Sequence, residues 1–153
     1  MKTDVPPQPE TLYVGDDSLV IQVNSEMSHG KVVASEVTIP AGGGPPMLHR
    51  HAAEELYRVL GGELSFYVAD DQGRITTNVK RTGEVAYIPG GVEHTIRNES
   101  NEPATAFVVF SGDAAPMEAF ARSAAALADE GPPQVTAVIA AATRHGIEMT
   151  RPL

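Results

Sequence analysis

The sequence predicts an all-β fold, an antiparallel sandwich or barrel, closed by a short C-terminal helical tail. Three observations carry that prediction. Between residues 11 and 111, short runs rich in β-branched and aromatic residues recur every 8 to 12 residues, separated by Gly, Pro, Asn and Asp. After Gly112 the composition turns abruptly alanine-rich. The chain has 153 residues, long enough for one well-buried core and short for two.

Taken in order, residues 1–10 form an extended lead-in, because "VPPQPE" carries three prolines in six positions. Residues 11–112 hold the barrel. Its strands are expected at "SLVIQV", "KVVASEVTI", "ELYRVL", "ELSFYVA", "RITTNVK", "EVAYIP", "HTIRN" and "ATAFVVF". The intervening "SHGK", "PAGGGPP", "GG", "DDQG", "RTG", "PGG" and "ESNEP" supply glycine for positive φ and Asn/Asp for turns. Residues 113–153 form the helical extension. "APMEAFARSAAALADE" puts Met117, Phe120 and Leu127 near helical spacing, and alanine is the best helix former. "GPP" at 131–133 breaks that helix. A second follows in "QVTAVIAAATRHG", with Val135, Val138, Ile139 and Ala142 on one face and Gly146 as its stop.

The charge balance removes whole classes of function. A net charge of −9 argues against a nucleic-acid partner, since that affinity rests on clustered Lys and Arg releasing counterions. No apolar run approaches the ~20 residues that cross a bilayer, so no membrane role and a cytoplasmic location are expected. Without cysteine, any metal must be held by imidazole, carboxylate and water.

"GGGPPMLHRHAAEELYRVLGG", residues 42–62, places two histidines one residue apart. On a strand, His49, His51 and Met47 share one face, and Leu48 and Arg50 take the other. An H-x-H pair alone is weak evidence for a metal. Glu55 opens the next run and shares its face with Tyr57 and Val59. "GEVAYIPGGVEHTIRN", residues 83–98, then brings a third histidine, His94, three residues after a Pro-Gly-Gly turn.

Together the two stretches fit G-x5-H-x-H-x3-E-x6-G, from Gly43 to Gly62, and G-x5-P-x-G-x2-H-x3-N, from Gly83 to Asn98, at all ten fixed positions. In this the chain resembles the cupin superfamily, firmly over residues 31–111. The resemblance implies a double-stranded β-helix, or jelly-roll, barrel. It also implies one divalent metal ion per chain (Fe, Ni, Mn, Co, Cu or Zn) held by His49, His51, Glu55 and His94. Gly43, Gly62, Gly83 and Gly91 would then serve tight corners and Pro89 the turn presenting His94, with Asn98 structural. More loosely, "PAGGGPPMLHRH" and the C-terminal "RHGIE" resemble bacterial single-domain cupins grouped with quercetin dioxygenases.

That likeness implies a metal-dependent dioxygenase acting with dioxygen on a small enolisable or aromatic, flavonol-like substrate, and a homodimer. The alternatives are a redox-neutral isomerase or cyclase, and a non-catalytic small-molecule-binding cupin. Glu55 either ligates throughout or doubles as the general base. Met47, Tyr57 and Ile96 are candidates for lining the substrate pocket, a mostly apolar one that would suit a flat aromatic. Glu54 points to the opposite strand face and is read as solvated. His29, in "SHGK", is read as a surface residue, and His145 as a partner of its helix's terminal carbonyls. If the tail only caps the pocket, deleting residues 131–153 should leave metal content intact.

Overall fold

The computed structural model describes residues 8–153. Most of the expected lead-in, residues 1–7, lies outside them. Glu10, its last residue, already opens a strand: β1 (Glu10–Val14) turns at Gly15 and pairs antiparallel with β2 (Asp17–Val23). A four-residue helix, α1 (Ser25–Ser28), follows, with Asn24 accepting a hydrogen bond from the Met27 N–H as its cap. The eight strands read from β-branched and aromatic runs all form, as β2, β3 (Val32–Ile39), β5 (Glu54–Gly61), β6 (Glu63–Ala69), β7 (Ile75–Arg81), β8 (Val85–Ile88), β9 (His94–Arg97) and β10 (Ala104–Ser111). The H-x-H pair starts on β4 (Met47–Arg50).

These strands build two sheets in a jelly-roll arrangement. One has the order β1-β2-β3-β10-β5-β8, and the other, once the C-terminal strand β11 (Glu148–Pro152) is added, β11-β4-β9-β6-β7. The core lies between them, where Val37, Tyr57, Val59, Leu64, Phe66, Ile88, Ile96 and Val108 pack together. β5 shows why the alternating sequence demands this: Glu55, Tyr57 and Val59 are buried while Glu54, Leu56, Arg58 and Leu60 face out.

The tail departs from expectation at its end. α2 (Ala115–Asp129) and α3 (Val135–Arg144) form where alanine content predicts them. Val135 is exposed rather than part of the buried face, which centres on Ala141 and Ala142. Beyond Gly146 the chain is not helical. β11 pairs antiparallel with β4, setting Met149 opposite His49. Five residues were too few to stand out as a strand without the partner that satisfies their backbone.

Candidate metal centre

Three structural segments bring the four candidate ligands together. β4 and the residue after it carry His49 and His51, β9 carries His94, and β5, from the opposing sheet, carries Glu55. Register does the placing: His49 sits opposite His94, and His94 opposite Val68. The Pro89-Gly90-Gly91 turn ties the histidine segments together, with the Gly91 N–H donating to the His51 carbonyl at 2.7 Å. Gly91 holds φ near 80°, where a side chain would strain the backbone. Gly90 backs so closely onto the Ala52 carbonyl that a Cβ there would collide with it. Gly43 serves its corner by close approach and not by a positive φ: its N–H closes a turn onto the Pro40 carbonyl at 2.8 Å, and a Cβ there would press on Asp17, Pro40 and Ile39.

One candidate ligand atom from each of the four lies within 4.8 Å of the others. His51, Glu55 and His94 are buried, and His49 sits nearer solvent. Each imidazole is oriented by a backbone carbonyl on its Nδ1: Met47 for His49 and Ala53 for His51, both at 3.0 Å, and Val92 for His94 at 2.8 Å. A carbonyl only accepts, so each Nδ1 donates there, and each ring turns its Nε2 toward the centre. There His51 Nε2 meets Glu55 Oε1 at 2.8 Å. Glu55 Oε2 and His94 Nε2 are buried with no hydrogen-bond partner among the described residues. Three ring nitrogens converging on a buried carboxylate, with two buried atoms unpartnered, are what a cation relieves, and the cluster fits a single divalent ion.

The electrostatics agree with a site built for positive charge. Burial pushes the Glu55 carboxyl up, but the hydrogen bonds and charges of His51 and His94 outweigh it and leave it well below the usual carboxylate range. Burial, reinforced by repulsion from His94, pulls His49 down to about 4. Burial works against a charged His94 too, yet its contact with Glu55 raises it above the ordinary histidine value. Tyr57, buried beside Glu55, is held well above the ordinary phenol value by burial and then by that carboxylate's charge.

The remaining candidates sort by position. Ile96 and Tyr57 belong to the core, Tyr57 edge-on to Phe66 with ring centroids 5.2 Å apart. Met47 lines a cavity beneath α2 and α3. Asn98 is fully buried and wholly engaged. Its Nδ2 donates to the Ile39 and Glu102 carbonyls, and its Oδ1 accepts from the Ser100 N–H and hydroxyl. Glu54 and His29 are exposed, as read. His145 differs: its ring meets the Ser123 hydroxyl of α2 at 3.1 Å, while its backbone N–H, not its side chain, caps the Ala142 carbonyl. What sequence reasoning missed is Met149, opposite His49. The apolar-polar alternation of "IEMT" was its one signal.

Two cavities are lined in part by cross-strand partners of the candidate ligands His49, Glu55 and His94. One, of about 330 Å³, has Met47 and Met149 on its wall. The other, of about 260 Å³, lies between β6, β7 and β8, where Phe66, Val68 and Ile88 meet Asn78 and Lys80. Val68 and Ile88 are the register partners of His94 and Glu55.

Residues 35–110 match the family model described as the cupin domain, and the chain belongs to the cupin superfamily. Oxalate decarboxylase from Bacillus subtilis superposes with a TM-score of 0.59 at 19% identity, over 69% of this chain and 28% of that one. A sugar phosphate isomerase of the cupin superfamily from Silicibacter pomeroyi gives 0.51 at 23%, over 63% and 59%. The TT1209 protein of Thermus thermophilus gives 0.50 at 22%, over 69% and 85%. The chain thus spans little more than a quarter of the oxalate decarboxylase, and these likenesses establish the fold. No curated protein matches the chain by sequence. No helix among the described residues is long and apolar enough to cross a membrane.

Proposed function

We propose that the chain is a metal-dependent cupin enzyme, an oxygen-dependent dioxygenase acting on a small enolisable or aromatic substrate. His49, His51, Glu55 and His94 are its metal ligands. The observation that carries this reading is the set of three Nδ1-anchored imidazoles turned onto a buried carboxylate, with Glu55 Oε2 and His94 Nε2 left unpaired. When bound, a divalent ion would supply Lewis acidity toward a substrate hydroxyl or enol oxygen and sites for dioxygen. The chain's own groups do the rest. The three backbone carbonyls fix the rings. Glu55, held ionised, is placed to accept the substrate's hydroxyl proton, and Val68 and Ile88 exclude water beside it. Loading the protein with Fe(II), Mn(II), Co(II) or Ni(II) and following oxygen uptake with flavonols and other enolisable compounds tests this. Uptake with none of these metals would defeat it.

A second reading, a redox-neutral isomerase or cyclase, is favoured by one feature. The smaller cavity carries Lys80 and Asn78, which suit an anionic, polar substrate. Turnover that proceeds unchanged under nitrogen would select it.

The protein acts as a homodimer in this proposal, pairing through the outward face of the six-stranded sheet. Leu56 and Tyr87 lie side by side there, 40% and 55% exposed, with Val85 alongside. Arg58, on that face, has Glu54 four residues back on its own strand and Glu36 two strands over, beyond Phe107, a charge pattern that a two-fold axis can make self-complementary.

A further inference from the structure

The cavity beneath the helical tail has no part in holding the metal: none of the four candidate ligands lines it. It is bounded by Phe120 of α2, Val138 and Ile139 of α3, and Met47 and Met149 of the sheet, with Val135 at its outer end. Its volume, about 330 Å³, lies at the lower end of the ~300–1,000 Å³ typical of small-molecule sites. The one charged side chain on its wall is Asp17, at the start of β2. That carboxyl is half-buried, and burial raises it from its ordinary value. An anion placed beside it would be repelled, and a strongly hydrated ligand would have nothing else to bond.

Register connects this cavity to the metal centre. Met149 is the direct cross-strand partner of His49, and Met47 shares the His49 strand face two residues away. Directly opposed side chains stand ~4.5–5.5 Å apart at Cβ, so a molecule resting on Met149 lies one side chain from His49. Two unbranched thioethers at that boundary form a wall that adapts to what presses on it.

We propose that this cavity binds an uncharged, apolar or aromatic small molecule, and that the bound molecule is felt at the metal centre through Met149 and Met47. The cavity claim stands on its own geometry, whereas its coupling to the metal rests on the metal reading above.

The test uses the full chain and the neutral fluorophore N-phenyl-1-naphthylamine. Metal-free protein should bind one probe per chain saturably. Val138→Trp, which fills the cavity, and Val135→Trp, which crowds its exposed end, should each weaken binding on the order of tenfold. Val135 is 65% exposed and tolerates the larger ring, so misfolding of the Val138 variant would not remove the test. Val79→Thr, on an exposed strand away from the cavity, should bind as the parent does. In Co(II)-loaded protein the probe should shift the visible d–d bands. Absent saturable binding, or binding that both tryptophans leave untouched, overturns the cavity. Binding without a spectral change overturns the coupling. Probe binding by a chain that takes up no Co(II) upholds the cavity and sinks the metal reading instead.

Discussion

His94 shows what a single residue owes to its surroundings. Its Nδ1 is held by Val92, its backbone by the turn through Gly91, and its Nε2 is left bare beside Glu55. His94→Ala or Glu55→Gln should therefore bring metal content, measured by elemental analysis, from one ion per chain to near none while the protein stays folded. Gly91→Ala forces a positive φ on a residue with a Cβ and should cost about 1–2 kcal/mol in thermal unfolding, with weaker metal retention as His94 is displaced. Asp17 yields a pH prediction. Its folded pKa is raised above the unfolded value near 3.8, so the folded state holds the proton longer and stability falls as pH climbs through that window. Asp17→Asn should raise the melting temperature at pH 7, and the gain should shrink to nothing as both states become protonated below the unfolded pKa. A gain that persists unchanged in acid would contradict the assigned cause.

At the scale of elements, the β9–β10 connection and the C-terminal strand matter most. Asn98 satisfies two carbonyls and two donors of Ser100 from a fully buried position. Asn98→Ala strands those groups and should destabilise by about 2–4 kcal/mol in urea unfolding, while metal content per folded chain is kept. β11 changes the expectation for the tail. Because Glu148 and Met149 pair with Arg50 and His49, and the Thr150 hydroxyl donates to the Leu48 carbonyl, deleting residues 131–153 strips the edge from β4, which carries His49 and leads into His51. Metal content should then fall, instead of surviving as it would if the tail were only a cap. Ending the chain at Gly146 should lower it as well, which isolates the strand from the helices.

For the whole molecule, the exposed Leu56–Tyr87 face predicts that Leu56→Glu with Tyr87→Glu shifts the mass measured by light scattering from two chains to one, with the metal retained. The two facing sheets and the core between them were legible in alternation alone: Glu55, Tyr57 and Val59 read inward and lie inward. The candidate ligand set was legible through the motif resemblance, and strand parity then leaves Glu55, not Glu54, on the buried face. Less legible were features decided by partners distant in the chain. Val135 falls on an apolar helical stripe but ends exposed, because α3 meets the barrel through Ala141 and Ala142. His145 sits where helix carbonyls are near, yet its ring finds Ser123, 22 residues earlier. The order of residues was enough to set most strands and their inward faces, since side-chain parity and turn residues are local properties, and the motif resemblance pointed to the four candidate ligands. That the last strand would brace His49, and that the helices would enclose an apolar cavity beside it, emerged from the folded chain alone, because both depend on backbone groups and apolar surfaces finding partners some hundred residues away.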